Sequence, residues 1–178
     1  GLGTRLLPLT SVFAKELLPI NGKPGLEYIL NECIEAGIKE IIFIISKRKM
    51  MVKKYFYNDK FYKELIKKKN NSRVLLEYKK ILKYRKMIKF VFQNKPLGTG
   101  DAVLKTQKFI KNKYFLMLLP DDLIVKKNCS KSMISINKKF NSSVMASMKV
   151  NKENVSRWGI FNIKRKINKN DFMIKSVF

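Results

Sequence analysis

The sequence predicts an α/β protein with a mostly parallel sheet, and two observations favour this fold class. The runs IIFII at residues 41–45 and YFLMLL at residues 114–119 are continuously apolar. A run without alternation is typical of a strand buried on both faces, as in a parallel sheet. Segments with helical periodicity separate these runs along the chain. Strands that alternate with helices indicate βαβ units.

The order of the predicted elements follows from periodicity and from helix-end signals. Pro24 opens a helix whose apolar positions, from Leu26 to Ile34, repeat at helical spacing, and Gly37 suits its C-terminal cap. Residues 1–10 are predicted to form a loop. The remaining predicted elements are strands at residues 88–93, 114–119, 143–150 and 174–178, and helices at residues 99–110 and 130–140.

The composition of the chain limits the catalytic groups and metal ligands that it can use. The chain has 178 residues, 46% of them hydrophobic, and is predicted to form a single domain over residues 1–178. It contains no histidine, which removes the commonest general base and the commonest zinc ligand. Catalysis would therefore rest on carboxylates, cations, backbone amides or a hard metal ion. Cys33 and Cys129 have no metal-ligand spacing and suggest no disulfide framework, so the cytoplasm is the expected location.

The segment at about residues 47–87 is more basic than the segments on either side of it. Its net charge is strongly positive, as is that of the whole chain at +26, and aromatic residues such as Tyr55, Phe56, Phe61 and Tyr62 are interleaved. Basic and aromatic residues together could bind single-stranded nucleic acid. We favour a helical insert whose aromatic side chains face the domain. No specific nucleic-acid partner is predicted. No membrane partner is predicted either, since no apolar run approaches the length of a membrane span.

The motif GLGTR at residues 1–5 suggests a phosphate-binding loop. Glycines let backbone amides approach an anion, and an arginine can hold a phosphate with two parallel hydrogen bonds. The loop is not a dinucleotide fingerprint, because Leu6 stands where the third glycine belongs. It is not a Walker loop either, because Gly22 and Lys23 lack the upstream glycine and the following hydroxyl residue.

A longer string is more specific. Residues 1–10 read GLGTRLLPLT, residues 15–19 read KELLP, and Lys23 precedes Pro24. This string resembles the signature of sugar nucleotidyltransferases, and it matches the bacterial UTP–glucose-1-phosphate uridylyltransferases of that family best. One position departs from the family pattern, since Ala14 stands where a proline is usual before the lysine.

Three later segments resemble the same family, in the right order. They are QNKPLGTGDAV at residues 93–103, similar to the base-binding segment, LLPDD at residues 118–122, similar to the metal-binding strand end, and WGIF at residues 158–161, similar to the sugar-binding glycine segment. Asp101 replaces a more usual histidine, and Trp158 replaces a more usual tyrosine.

The resemblance implies a Rossmann-like three-layer α/β/α nucleotidyltransferase fold with a mostly parallel mixed sheet. It also implies transfer of a nucleotide from UTP to glucose 1-phosphate, which yields UDP-glucose and pyrophosphate, in a homo-oligomer when full length. The implied site residues are Arg5 and Lys15 for catalysis; Gly1, Gly3, Thr4, Gln93 and Gly98 for the nucleotide; Gly159 for the sugar; and Asp121 for Mg²⁺, with Asp122 orienting the loop.

Several alternatives stay open at this point. The same chemistry could use another base or sugar, as in a thymidylyl- or guanylyltransferase, although Gln93 favours a pyrimidine. The chain could also be a basic nucleic-acid-binding protein or a remnant that only binds nucleotide. Family members carry an apolar strand before the glycine loop, and a sugar-binding glutamate and a second metal carboxylate beyond the position of Phe178. The chain is therefore expected to be truncated at both ends and inactive by itself.

Overall fold

The computed structural model describes residues 3–68, 71–111, 113–124 and 126–178, so Gly1 lies outside the described residues. The chain divides into two compact units, residues 1–142 and residues 143–178. Its strands are β1 (Pro19–Ile20), β2 (Lys23–Pro24), β3 (Ile41–Ile45), β4 (Ile88–Phe92), β5 (Phe161–Lys166) and β6 (Phe172–Val177). Its α-helices are α1 (Gly25–Glu35), α2 (Met50–Tyr57), α3 (Asp59–Lys68), α4 (Ser72–Arg85), α5 (Gly98–Leu104) and α6 (Cys129–Phe140).

The parallel pair β3–β4 is the centre of the first unit. Its register runs from Ile41 opposite Ile88 to Ile45 opposite Phe92, which confirms both predicted strands and their parallel direction. Helices α2, α3 and α4 connect the two strands. Because parallel strands need a long crossover connection, the basic segment at residues 47–87 serves as that crossover, and most of its residues lie in these three helices.

Helix α1 begins and ends where its sequence signals predict. Pro24 precedes its first residue, and Gly37 follows it with a φ of +82°. The Gly37 N–H donates to the Ile34 carbonyl and the Ile38 N–H donates to the Cys33 carbonyl, each over 3.0 Å. These two bonds form a Schellman cap, which needs a left-handed residue and therefore favours glycine.

The hydrophobic core of the first unit lies between the parallel pair and helices α1, α2 and α4. Phe56 is completely buried, and its ring lies 5.7 Å from that of Phe43 and 6.3 Å from that of Phe90, measured between centroids. Tyr55 and Tyr62 pack against the same core, whereas Phe61 is 52% exposed. The aromatic side chains of the basic segment thus mostly face the domain. The absence of a specific nucleic-acid site stays a prediction.

A buried carboxylate ties the crossover helices to α1. Glu27 is only 2% exposed. It accepts a hydrogen bond from the Tyr55 hydroxyl on α2, and its second oxygen lies 3.1 Å from the Lys80 ammonium on α4. Burial, together with the bond to Glu27, raises the pKa of Tyr55, so the phenol stays protonated and donates. One acidic residue therefore satisfies donors from two helices.

We expect Glu27→Gln to lower the free energy of unfolding by about 1–3 kcal/mol, because the buried partners of this carboxylate lose a charged acceptor. Glu77→Gln is the matched control, since Glu77 is the other carboxylate on Lys80, at 2.6 Å, but is 50% exposed. Its effect should be close to zero. Urea unfolding of both variants measures the difference, and equal losses would refute a special role for Glu27.

Two predicted strands are wrong. Residues 114–119 form no strand, and Phe115, Met117 and Leu119 are 42–56% exposed. Residues 143–150 also form no strand, with Met145 and Met148 at 59% and 70% exposed. An apolar run becomes a strand only when a neighbour supplies ladder partners, and no such neighbour exists among the described residues. The helix predicted at residues 99–110 ends at Leu104, and a 3₁₀ turn follows at Gln107–Phe109.

The second unit contains a 3₁₀ segment at Lys152–Arg157, followed by an antiparallel hairpin, β5–β6. Phe161 pairs with Val177 and Lys166 with Phe172, with irregular register between Asn162 and Arg165. Reciprocal hydrogen bonds of 2.9 Å between Ile160 and Phe178 extend the ladder by one pair. A strand at residues 174–178 was predicted, and β6 contains most of it. None of the helices in the described part of the chain is long and apolar enough to cross a membrane.

Candidate active site

The loop that begins the described chain is a series of 3₁₀ turns, at Thr4–Leu6 and Leu9–Ser11. Gly3 adopts a φ of +74°, and the Thr10 hydroxyl donates to the Gly3 carbonyl over 2.7 Å, which closes the loop on itself. Thr4 and Arg5 follow directly and are exposed. The loop therefore presents an arginine to solvent from a locally fixed backbone, as anion binding requires.

Lys15 is held by the residues on either side of it. Ala14 is buried, and its N–H donates to the Met51 sulfur on α2 over 2.9 Å. Ala14 has φ −68° and ψ 124°, which a proline also adopts. The departure from the family pattern is therefore compatible with the backbone conformation of a proline, and it adds a donor that a proline lacks. On the other side, Glu16 is buried and pairs with Lys49.

The structure brings Lys15 to Asp121, although 106 positions separate them. The Lys15 ammonium lies 2.7 Å from Asp121 Oδ2. The hydrogen bond from Lys15 is the main reason that the pKa of Asp121 lies below its usual value, so the carboxylate is ionised at neutral pH. The Lys15 side chain is 18% exposed and that of Asp121 is 57% exposed. A basic and an acidic group predicted from two separate segments of the sequence thus form one ion pair.

The surroundings of Asp121 fit a hard cation only in part. Asp121 lies in a turn in which the Asp122 N–H donates to the Leu119 carbonyl over 3.1 Å. Among the described residues no three histidine, cysteine or acidic side chains gather into a metal site. A single exposed carboxylate suits an ion that takes its remaining ligands from water and from substrate phosphates, as Mg²⁺ does.

A second cluster forms after β4. The Gln93 N–H donates to the Ile45 carbonyl over 3.0 Å, so Gln93 lies beside the carboxyl ends of both parallel strands. Open α/β sheets bind ligands at this edge. The Gln93 side-chain amide nitrogen donates to the Gly98 carbonyl over 3.0 Å and to Asp101 Oδ2 over 2.8 Å. The structure therefore brings together Gln93 and Gly98, both predicted from sequence, and adds Asp101.

Gly98 begins helix α5 with a φ of +92°. A Cβ at this position or at Gly100 would meet no atom within 4 Å. The backbone beside Gln93 is therefore open on the side where a side chain would otherwise stand, and a flat ring could lie against it. Gly98 is restricted to glycine by its backbone conformation rather than by a close neighbour.

Gly159 lies in the second unit, where it precedes β5. A Cβ there would lie 3.6 Å from Val177 Cγ1 and 3.8 Å from the Phe178 carbonyl oxygen. These are ordinary contact distances, so the described hairpin does not itself require glycine. The proposed sugar contact of Gly159 stays a prediction.

Sequence reasoning missed the contribution of Glu16 and Lys49. Their ion pair supports the turn that carries Lys15, and within the described residues the second Glu16 oxygen is buried without a hydrogen-bond partner. No sequence spacing signals a pair that is 33 residues apart. Asp101 did carry a signal, because it occupies a position where the resembled family has histidine, but its contact with Gln93 was not predicted.

Comparison with known proteins identifies the family. The model of the nucleotidyl transferase family matches residues 1–176. The chain belongs to this family. A UTP–glucose-1-phosphate uridylyltransferase of Streptococcus pyogenes is 35% identical over 167 residues, which cover 90% of this chain and 54% of that relative. The chain thus spans about half the length of this curated relative.

Solved structures agree with this membership in the nucleotidyl transferase family. The crystal structure of apo-UDP-glucose pyrophosphorylase superposes with a TM-score of 0.82 at 30% identity, covering 99% of this chain and 65% of that one. The structure of UDP-glucose pyrophosphorylase complexed with UDP-glucose has a TM-score of 0.79 at 29% identity, covering 99% and 64%. The predicted Rossmann-like α/β nucleotidyltransferase fold is confirmed, although two of its individual strands are absent from the described residues.

Proposed function

We propose that this protein transfers a uridylyl group from UTP to glucose 1-phosphate, giving UDP-glucose and pyrophosphate. The observation that supports this most is that the first unit brings predicted site residues together in two pairs. These pairs are Lys15 with Asp121, and Gln93 with Gly98. The relative from Streptococcus pyogenes is named for the same reaction, and a related structure contains UDP-glucose. The charge of +26 also favours anionic substrates.

The chemistry needs no general base. The phosphate oxygen of glucose 1-phosphate is already ionised and attacks the α-phosphorus of UTP, while the bond from that phosphorus to the pyrophosphate oxygen breaks in line. Rate acceleration then comes from positioning and from charge neutralisation. This fits a chain without histidine.

The residues divide these tasks. Arg5, exposed on the glycine loop, holds the departing pyrophosphate, and the backbone at Gly3 and Thr4 lies against the same phosphates. Lys15 meets the charge on the transferred phosphate. In the protein alone, Asp121 lies 2.7 Å from the Lys15 ammonium and balances its positive charge. Lys15 is therefore kept in place before substrate arrives. Gly159 lies against the sugar.

Asp121 would hold Mg²⁺. When bound, this ion would neutralise charge on the phosphate oxygens. Asp122 has the role of orienting the loop, since its backbone N–H closes the turn that presents Asp121. The free thiols of Cys33 and Cys129 support a reducing compartment, and we place the enzyme in the cytoplasm.

Gln93 reads the base in this proposal, because an amide can match the edge of a pyrimidine. We expect Gln93→Ala in the full-length protein to weaken UTP binding about tenfold, the effect of one lost hydrogen bond in a partly buried site. Gln107→Ala, which removes the chain's other glutamine from an exposed turn, should change nothing.

A pyrophosphate-release assay tests the function itself. Full-length protein is given UTP, dTTP, CTP, ATP or GTP with glucose 1-phosphate and Mg²⁺. Release should be fastest with UTP and should require the sugar phosphate. Release with a purine triphosphate alone, or none with any pair, would contradict the proposal.

A further inference from the structure

The orientation of the Gln93 amide is fixed by chemistry. Its two neighbours are the Gly98 carbonyl oxygen at 3.0 Å and Asp101 Oδ2 at 2.8 Å. A backbone carbonyl and an ionised carboxylate can only accept hydrogen bonds. The amide can therefore face them only through its nitrogen, since the reverse orientation would set its oxygen against two other oxygens.

Asp101 is itself held in an accepting state. It lies in the first turn of α5, its side chain is 22% exposed, and the Lys105 ammonium lies 3.4 Å from its other oxygen. The hydrogen bond from Gln93, followed by the charge of Lys105, lowers the pKa of Asp101 below its usual range. At neutral pH the carboxylate therefore has no proton with which to meet the Gln93 oxygen.

We propose that Asp101 is a specificity-determining positioning residue, which turns the Gln93 amide so that its oxygen alone faces the base. Both amide protons are used by Gly98 and Asp101, and in the described part of the chain no protein group donates to Gln93 Oε1. An acceptor in that place recognises a base that presents a ring N–H. This inference rests on the proposed function of Gln93.

The consequence is selection of uracil-type over cytosine-type pyrimidines. Uracil and thymine carry a proton on N3, which can donate to Gln93 Oε1. Cytosine has an unprotonated N3, whose lone pair would face the amide oxygen. A glutamine that rotated freely could serve either base, because its amide offers one donor side and one acceptor side. Asp101 removes that freedom.

The histidine usual at this position in the resembled family would impose a weaker constraint. A neutral imidazole presents a donor nitrogen and an acceptor nitrogen, and its tautomer can change. A carboxylate has no donor form at neutral pH.

The test compares nucleotide binding by the full-length protein before and after Asp101→Ala. Dissociation constants for UTP, dTTP and CTP are measured by competition. We expect the preference for UTP over CTP to fall about tenfold, the value of one correctly oriented hydrogen bond. The ratio of UTP to dTTP should not change, because these two bases share the recognised edge. A general loss of structure would instead weaken the binding of all three nucleotides by the same factor.

Glu64→Ala is the matched control. It removes a carboxylate that also faces a lysine one helical turn away, Lys60 at 4.0 Å, so it changes the net charge by the same amount. Asp101→Asn, which keeps the side-chain volume but can donate as well as accept, guards against misfolding of the alanine variant. Its ratio of UTP to CTP should fall in the same direction by a smaller factor.

The outcomes separate the two claims. If the unaltered protein prefers UTP and both Asp101 variants keep that preference in full, the positioning role is wrong while the proposed function stands. If the unaltered protein binds none of the three nucleotides, the proposed function fails first. A loss of preference in Glu64→Ala as large as in Asp101→Ala would overturn the inference by making it a charge effect.

Discussion

Asp121→Asn should reduce turnover by a factor on the order of 10²–10³ while the fold survives. A bound cation supplies several kcal/mol of charge stabilisation in the transition state, and each 1.36 kcal/mol is a factor of ten in rate. The amide keeps the shape of the carboxylate but loses its charge. Asp121 is 57% exposed in the turn after residues 114–119, and an asparagine oxygen can still accept the hydrogen bond from Lys15, so the fold should tolerate the change.

Asp122→Asn is the control for that change, since the backbone of Asp122 rather than its side chain closes the turn with Leu119. Pyrophosphate release and the melting temperature should both stay near the unaltered values. If Asp122→Asn were the crippling variant and Asp121→Asn the harmless one, the metal ligand would be the neighbouring residue.

A further experiment separates the effect of Asp121 on Lys15 from its effect on the proposed metal ion. Lys15 loses its counter-charge in Asp121→Asn, so part of the effect could come from a displaced lysine. Lys15→Met removes the lysine itself and so gives the background in which any remaining effect of Asp121 can be measured. If the carboxylate acts on more than Lys15, Asp121→Asn in the Lys15→Met background should still lower the rate further. No further loss in the double variant would mean that Asp121 acts only by holding Lys15.

Phe56→Ala should produce the largest loss of stability, about 3–5 kcal/mol. Phe56 is completely buried, and its ring contacts Phe43 and Phe90 on the two parallel strands and Tyr84 on α4. Alanine leaves a cavity at the point where the crossover helices meet the sheet. Surrounding rings can fill it only by leaving their own contacts.

Phe61→Ala provides the comparison, because Phe61 lies in the same crossover but is 52% exposed. Its loss should cost less than about 1 kcal/mol. Denaturant unfolding of both variants gives the two values. Similar losses would show that the crossover helices do not pack on the parallel pair through Phe56.

Local signals predicted the helices because helix ends and amphipathic faces are encoded within a few residues. Pro24 and Gly37 bound α1 for reasons that act on the backbone itself, and the apolar spacing between them sets the buried face. The parallel strands β3 and β4 were also predicted correctly, because their apolar residues pack against helices in the core. Such features need no knowledge of distant residues.

Continuous apolar runs were less informative at residues 114–119 and 143–150. Such a run indicates a segment that favours burial, but a strand also needs a backbone neighbour for its N–H and carbonyl groups. That neighbour comes from elsewhere in the chain, so periodicity alone could not decide whether it exists. The exposed side chains of Phe115 and Met148 record its absence among the described residues.

The sequence by itself determined the family signature and which residue types carry charge, from Arg5 and Lys15 to Asp121, because these are properties of single positions and short spacings. Only the tertiary structure decided which of them meet. Lys15 reaches Asp121 across 106 positions, and Asp101 sets the direction of the Gln93 amide. Both results depend on distances of about 3 Å between side chains, which arise from how strands and turns pack and leave no trace in local spacing.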